Sequence, residues 1–281
     1  MIDASMLSFL APCFAASLIL AGIHAYLGVH VVERGVIFVD LSLAQIAALG
    51  ATIALLMPFS NGDPHAPVVY WVSLVFTFMG AFVFATIRSK RGRIPQEAII
   101  GICYAVASAA AILAMSKATS ESEHLKDMLV GNILAVSWAE VGKTAALYGV
   151  IGLFHFVFRH KFLAISMNHR NAESTGLNVK FWDFLFYASF GFVVTSSVSI
   201  AGVLLVFSYL IVPSVAAMLY ADSIGKRLAI GWTMGTIVSA LGVFLSLQAD
   251  LPTGATIVCT FGLVLVIMAA VRPLIQRNAV S

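Results

Sequence analysis

An all-α, polytopic transmembrane bundle is the fold class this sequence predicts, and three observations predict it. Of 281 residues, 60% are hydrophobic and 10% charged, with a mean hydropathy of +0.99; a soluble domain of this size needs more charge to cover its surface. Apolar segments of about 20 residues recur along the chain, each long enough to cross a hydrocarbon core of roughly 30 Å as a helix. The Lys and Arg residues cluster between alternate pairs of these segments, as cytoplasmic loops require.

Apolar runs and their breaks place spans near 7–27, 36–58, 68–87, 96–116, 142–158, 182–200, 202–220, 228–247 and 254–271. That is about nine, or eight if the pair meeting around Ile200 and Gly202 contains a broken or re-entrant segment. The 1–8 segment lacks the basic stretch of a cleavable signal peptide, so its apolar run is expected to remain as the first span. The N-terminus is expected outside and the C-terminus in the cytoplasm. Thirteen basic residues then lie inside: Arg34; Arg88, Lys90, Arg91 and Arg93; Arg159, Lys161, Arg170 and Lys180; Lys226 and Arg227; Arg272 and Arg277. Only Lys117, Lys126 and Lys143 fall outside, a split that one missed span would destroy. The chain reads as a single transmembrane domain, 1–281.

Two loops are long enough for structure of their own. The outer one, 116–140, turns from polar to amphipathic and predicts a short interfacial helix. The inner one, 159–183, mixes basic residues, aromatics and the segment NAESTGL. Ala172 and Gly176 are four apart in it, so in a helix they share one shallow face on which a partner protein can dock closely.

The net charge of +3 suggests no nucleic-acid surface. Cys13, Cys103 and Cys259 lie in apolar stretches without CxxC spacing and read as packing residues. There is no GxxxxGK[ST] phosphate loop, no HExxH and no paired intramembrane Asp, so the chain is read as doing no covalent chemistry.

Asp40 is the carboxylate placed deepest in a span, where a charge costs roughly 2.5–3.5 kcal/mol on insertion scales. It reads either as an oxygen ligand for a cation in transit or as a helix-end partner of Arg34. Gln45 lies five residues on, about 140° round a helix, so the two do not share an ion on a regular helix, and Gln45 reads as an interhelical hydrogen bond or as a pore contact. His24 and His30 bracket the end of the first span, reaching a pathway mouth or capping a helix end. Asp63, His65, Glu121, Glu123 and His124 fall in outer loops, where they can meet a cation from outside or are solvated loop polarity. His155, His160 and His169 are expected on a solvated inner face among Arg and Lys. Pro213 removes a backbone donor mid-span and predicts a kink. Asp250, Pro252 and Gly254 predict a tight outer turn with Asp250 or Thr253 capping the last span. Glu97, after Pro95, predicts a helix first turn.

Several segments together resemble the zinc/manganese/iron permease family of ABC importers. They are GVHVVERGVIFVDLSLAQIAALG, NAESTGL, SIAGVLLVFSYLIVPSVAAML and SLQADLPTGATIV, in the family's order and reaching from about residue 21 to 260. The resemblance implies a type II ABC importer-like fold. It further implies a bacterial inner-membrane homodimer, a cytoplasmic ABC ATPase and a periplasmic or extracellular metal-binding protein. No permanent cofactor is implied; a divalent metal ion is the substrate, and ATP binds the partner subunit. On this reading Asp40, Gln45 and His24 line the path, with Asp40 meeting the metal; Ala172, Glu173 and Gly176 form the ATPase coupling element; and Pro213 gates. With Gly50 aligned on the family's Gly, Gln45 stands where the family has His and the Asp is displaced by one residue to Asp40, which leaves the ion open. The nearest alternatives are a siderophore or cobalamin permease and, from another class, an intramembrane enzyme.

Overall fold

A computed structural model describes residues 4–60, 63, 66–87, 95–115 and 133–278. Its helices are α1 (Ala4–Arg34), α2 (Val39–Leu55), α3 (Pro67–Ile87), α4 (Gln96–Met115), α5 (Trp138–Val157), α6 (Arg159–Met167), α7 (His169–Ser174), α8 (Val179–Tyr220), α9 (Ile224–Ala249) and α10 (Thr253–Asn278). Among the described residues there is no strand, in keeping with a backbone that must satisfy its own polar groups in lipid.

Six described helices are long and apolar enough to cross a membrane, or seven if α5 and α6, bent by 74°, count as one broken span. The expected nine is not confirmed among the described residues, for identifiable reasons. The 36–58 segment yields a helix of only 17 residues. The segments on either side of Gly202 join in the 42-residue α8, whose departure from helical torsions falls at Gly202 (φ 75°, ψ 161°). A straight helix of that length would measure about 63 Å at 1.5 Å per residue, twice a hydrocarbon core. The break falls at Gly202, where the sequence allowed a broken segment.

Local signals explain several boundaries. Before α5, Ser137 and Glu140 form a capping box: Glu140 Oε2 accepts from Ser137 N and Oγ, each at 2.8 Å, and Ser137 Oγ accepts from Glu140 N at 3.3 Å. Asn168 Oδ1 accepts from Asn171 N and starts α7. Asp250 closes α9 in the left-handed conformation, and Thr253 Oγ1 meets Ser246 Oγ at 2.7 Å across the turn.

The described residues form two compact units, one within 1–32, 127–152 and 200–281, the other within 33–126 and 153–199. In the first, α1 and α8 approach through Gly28, where an added Cβ would run into Leu210 O and Ser214 Oγ. Trp232 Nε1 donates to Gly22 O at 2.9 Å, and Tyr209 receives Ser239 Oγ–H at 3.0 Å. Gly28→Ala is therefore expected to destabilise the purified protein by about 1–3 kcal/mol, the cost of overpacking. Gly22→Ala, whose Cβ meets nothing within 4 Å, should not lower the thermal midpoint measured beside it.

In the second unit α2 packs against α3 and α4. Ser73 Oγ donates to Ala47 O at 2.8 Å, and the hydroxyls of Thr77 and Thr195 lie 3.1 Å apart. Small residues and hydroxyls at such contacts let membrane helices approach closely where no hydrophobic force separates helix from lipid.

Candidate functional site

Asp40 occupies the first turn of α2 and is 1% exposed. Neither carboxylate oxygen has a hydrogen-bond partner among the described residues, and nor does the buried hydroxyl of Ser42 two residues on. The helix N-terminus offers a favourable dipole to the charge. Its backbone end is held by Glu97 of α4, whose Oε1 accepts from Phe38 N at 2.9 Å. Glu97 stands in the first turn of α4 as expected and in addition caps α2.

Arg34 is not the partner of Asp40. Its Nη1 lies 2.6 Å from Asp183 Oδ1, with both side chains at most 1% exposed, and its Nε donates to Ser166 Oγ at 2.8 Å. The guanidinium carbon stands 3.9 Å from the Phe186 ring centroid. A residue expected to mark a loop thus sits in the core of its unit, and Arg34 is not the helix-end partner of Asp40. Asp183, placed at a loop margin by the sequence, is the counter-ion that sequence reasoning missed.

The other expected path residues, Gln45 and His24, belong to different units. Gln45 is half-buried on α2. His24 is fully buried; its Nδ1 donates to Leu20 O at 2.8 Å and its ring meets Tyr148 edge-on. His30 packs edge-on against Tyr26. His155 corrects an expectation: it is 1% exposed, 2.8 Å from Ser189 Oγ, and stacked on Phe162 at 4.3 Å. Its aromatic neighbours in the FHFVF run were the available signal. His160 is exposed. Asp63 is exposed, whereas His65, Glu121, Glu123, His124 and most of the expected outer helix lie outside the described residues, as do Arg88, Lys90, Arg91, Arg93, Lys117 and Lys126. Pro213 is buried within α8. Among the described residues no group of three or more His, Cys, Asp or Glu is placed to hold a metal ion.

Ala172 and Gly176 do not share a helix face. α7 ends at Ser174, and Gly176 at φ 80° is the left-handed residue that follows. Leu177 N donates to Ala172 O at 3.3 Å and Gly176 N to Glu173 O at 3.2 Å, the paired bonds of a Schellman ending. Ala172 is buried at 3%, while Glu173, Ser174, Thr175 and Gly176 are exposed. The surface a partner can reach is this turn, with Ala172 beneath it.

These features define a polytopic helical membrane protein with a buried carboxylate at a helix start and an exposed, tightly turned loop. Comparison with known proteins assigns the class more closely: the chain belongs to the ABC 3 transport family, whose profile matches residues 6–272. It is similar to the manganese transport system membrane protein MntC of Listeria monocytogenes, 24% identical over 251 residues, covering 89% of this chain and 86% of that protein. It is also similar to the chelated iron transport system membrane protein YfeD of Yersinia pestis, 24% identical over 225 residues, covering 76% and 75%. The solved structure of PsaBC from Streptococcus pneumoniae in complex with Fab shares its fold, with a TM-score of 0.76 at 23% identity, covering 92% of this chain and 90% of that one. The resemblance read from the sequence holds at the level of family and fold.

Proposed function

We propose that this chain is the membrane permease of an ATP-driven importer for a divalent metal ion, one permease domain working as a homodimer in a bacterial inner membrane. A periplasmic or extracellular binding protein delivers the ion, and a cytoplasmic ABC ATPase docks on the inner loops. The N-terminus lies outside and the C-terminus inside. Relatives named for manganese and iron transport support the cargo class.

Asp40 carries this reading. A buried carboxylate without a hydrogen-bond partner among the described residues is costly to keep in a membrane helix, and a passing cation offsets that cost by pairing with it. Oxygen ligands suit manganese and the harder ions. A lone carboxylate binds weakly enough to release the ion onward, as conduction demands. Asp40→Asn is expected to reach the membrane at near wild-type level, since it removes no protein partner, while manganese uptake falls about tenfold or more. Radiolabelled manganese uptake with an immunoblot of membrane level tests it. Equal losses in both would mean that the carboxylate serves only the fold.

A further inference from the structure

We propose that Arg34 is a positioning residue for energy coupling: its guanidinium ties both ends of the inner loop to the turn that leads into Asp40. This rests on the docking role given above to that loop. Ser166 lies in the last turn of α6 and Asp183 in the first turns of α8, and the chain between them carries α7 and the exposed turn at Gly176. Arg34 holds both, through Nε and Nη1, and so closes the base of the loop.

On its other side the connection is short and stiff. Arg34 is the last residue of α1, Gly35 follows at φ 66°, and Asp40 stands six residues from Arg34. Between them Val36 is fully buried, Val39 N donates to Val36 O at 3.1 Å, and Phe38 N is held by Glu97. A displacement of the loop therefore reaches the start of α2 through one guanidinium and one hydrogen-bonded turn.

Stability alone does not account for this arrangement. A buried ion pair is commonly no more stabilising than apolar side chains of the same volume. What apolar packing lacks is direction: the planar fork fixes the positions of Ser166 and Asp183 relative to one another and to Arg34.

The test uses the full permease with its ATPase in membrane vesicles, and reads membrane level, ATPase recovery and manganese uptake per ATP hydrolysed. The double variant Arg34→Met with Asp183→Leu replaces the pair by apolar side chains. It should accumulate and retain the ATPase, yet take up about tenfold less manganese per ATP, the equivalent of losing one hydrogen bond to a charged group. Ser166→Ala, which leaves the ion pair intact, should lower the same ratio in the same direction and decides the matter if the double variant does not accumulate. An unchanged ratio in an accumulated double variant, or in Ser166→Ala, with the ATPase recovered, overturns the proposal alone. Failure of the wild-type permease to recover any ATPase overturns the docking role of the loop and this proposal with it.

Discussion

Arg34→Ala is expected to leave little folded protein in the membrane. It takes the cation 2.6 Å away from Asp183, a side chain at 1% exposure, and breaking a buried pair by removing one partner costs about 3–5 kcal/mol. It also removes the guanidinium from the Phe186 ring, 3.9 Å away, and a donor from Ser166. Arg34→Lys should fall between wild type and Ala: an ammonium is a point charge on a flexible stem and does not reproduce the planar fork. Fluorescence-detected gel filtration of detergent extracts gives the folded yield of each. A wild-type yield for Arg34→Ala would mean that the pair contributes nothing to the fold.

Gly176→Leu should separate transport from folding. The residue has φ 80°, where a branched side chain costs about 1–2 kcal/mol, but it lies in an exposed turn with nothing within 4 Å of an added Cβ. The permease should therefore reach the membrane, while ATPase recovery and metal uptake fall together by about tenfold or more, as at an interface hot spot. Backbone strain alone would give a similar loss, so Gly176→Asn is the discriminating variant. Asn tolerates the left-handed conformation, so it preserves the turn and still places a side chain on the proposed docking surface. Recovery should fall in Gly176→Asn too. Full recovery there would assign Gly176 to the turn and not to the contact.

The long apolar runs made much of this fold legible. The expected spans at 68–87, 96–116, 228–247 and 254–271 correspond to α3, α4, α9 and α10, because an uninterrupted 20-residue apolar run has few alternatives to a helix. The span count was not legible where helices are short or bent: hydropathy reports composition, and the 17 residues of α2 are a matter of tertiary placement, whereas the break allowed around Ile200 and Gly202 falls at Gly202. Asp40 stood out because one carboxylate in an apolar run is visible without a fold. Its surroundings were not. Arg34 and Asp183 are 149 residues apart, and no local pattern pairs them. Glu97 caps a helix other than its own for the same reason. The Ala172 and Gly176 reading applied helix periodicity past the helix end. The ST-G-L run of NAESTGL, with a hydrophobic residue after glycine, already carried the signal of a Schellman ending.

The central claim, that this chain passes a divalent metal only when a separate ATPase drives it, is tested most directly in proteoliposomes. The purified permease is reconstituted with and without its ATPase, with the metal-binding protein on the delivery side, and manganese entry is followed with and without ATP. Accumulation against a gradient is expected only when the ATPase and ATP are both present, with no ATP hydrolysis by the permease alone. Manganese accumulation driven by an ion gradient without the ATPase, or hydrolysis by the clean permease, would contradict it.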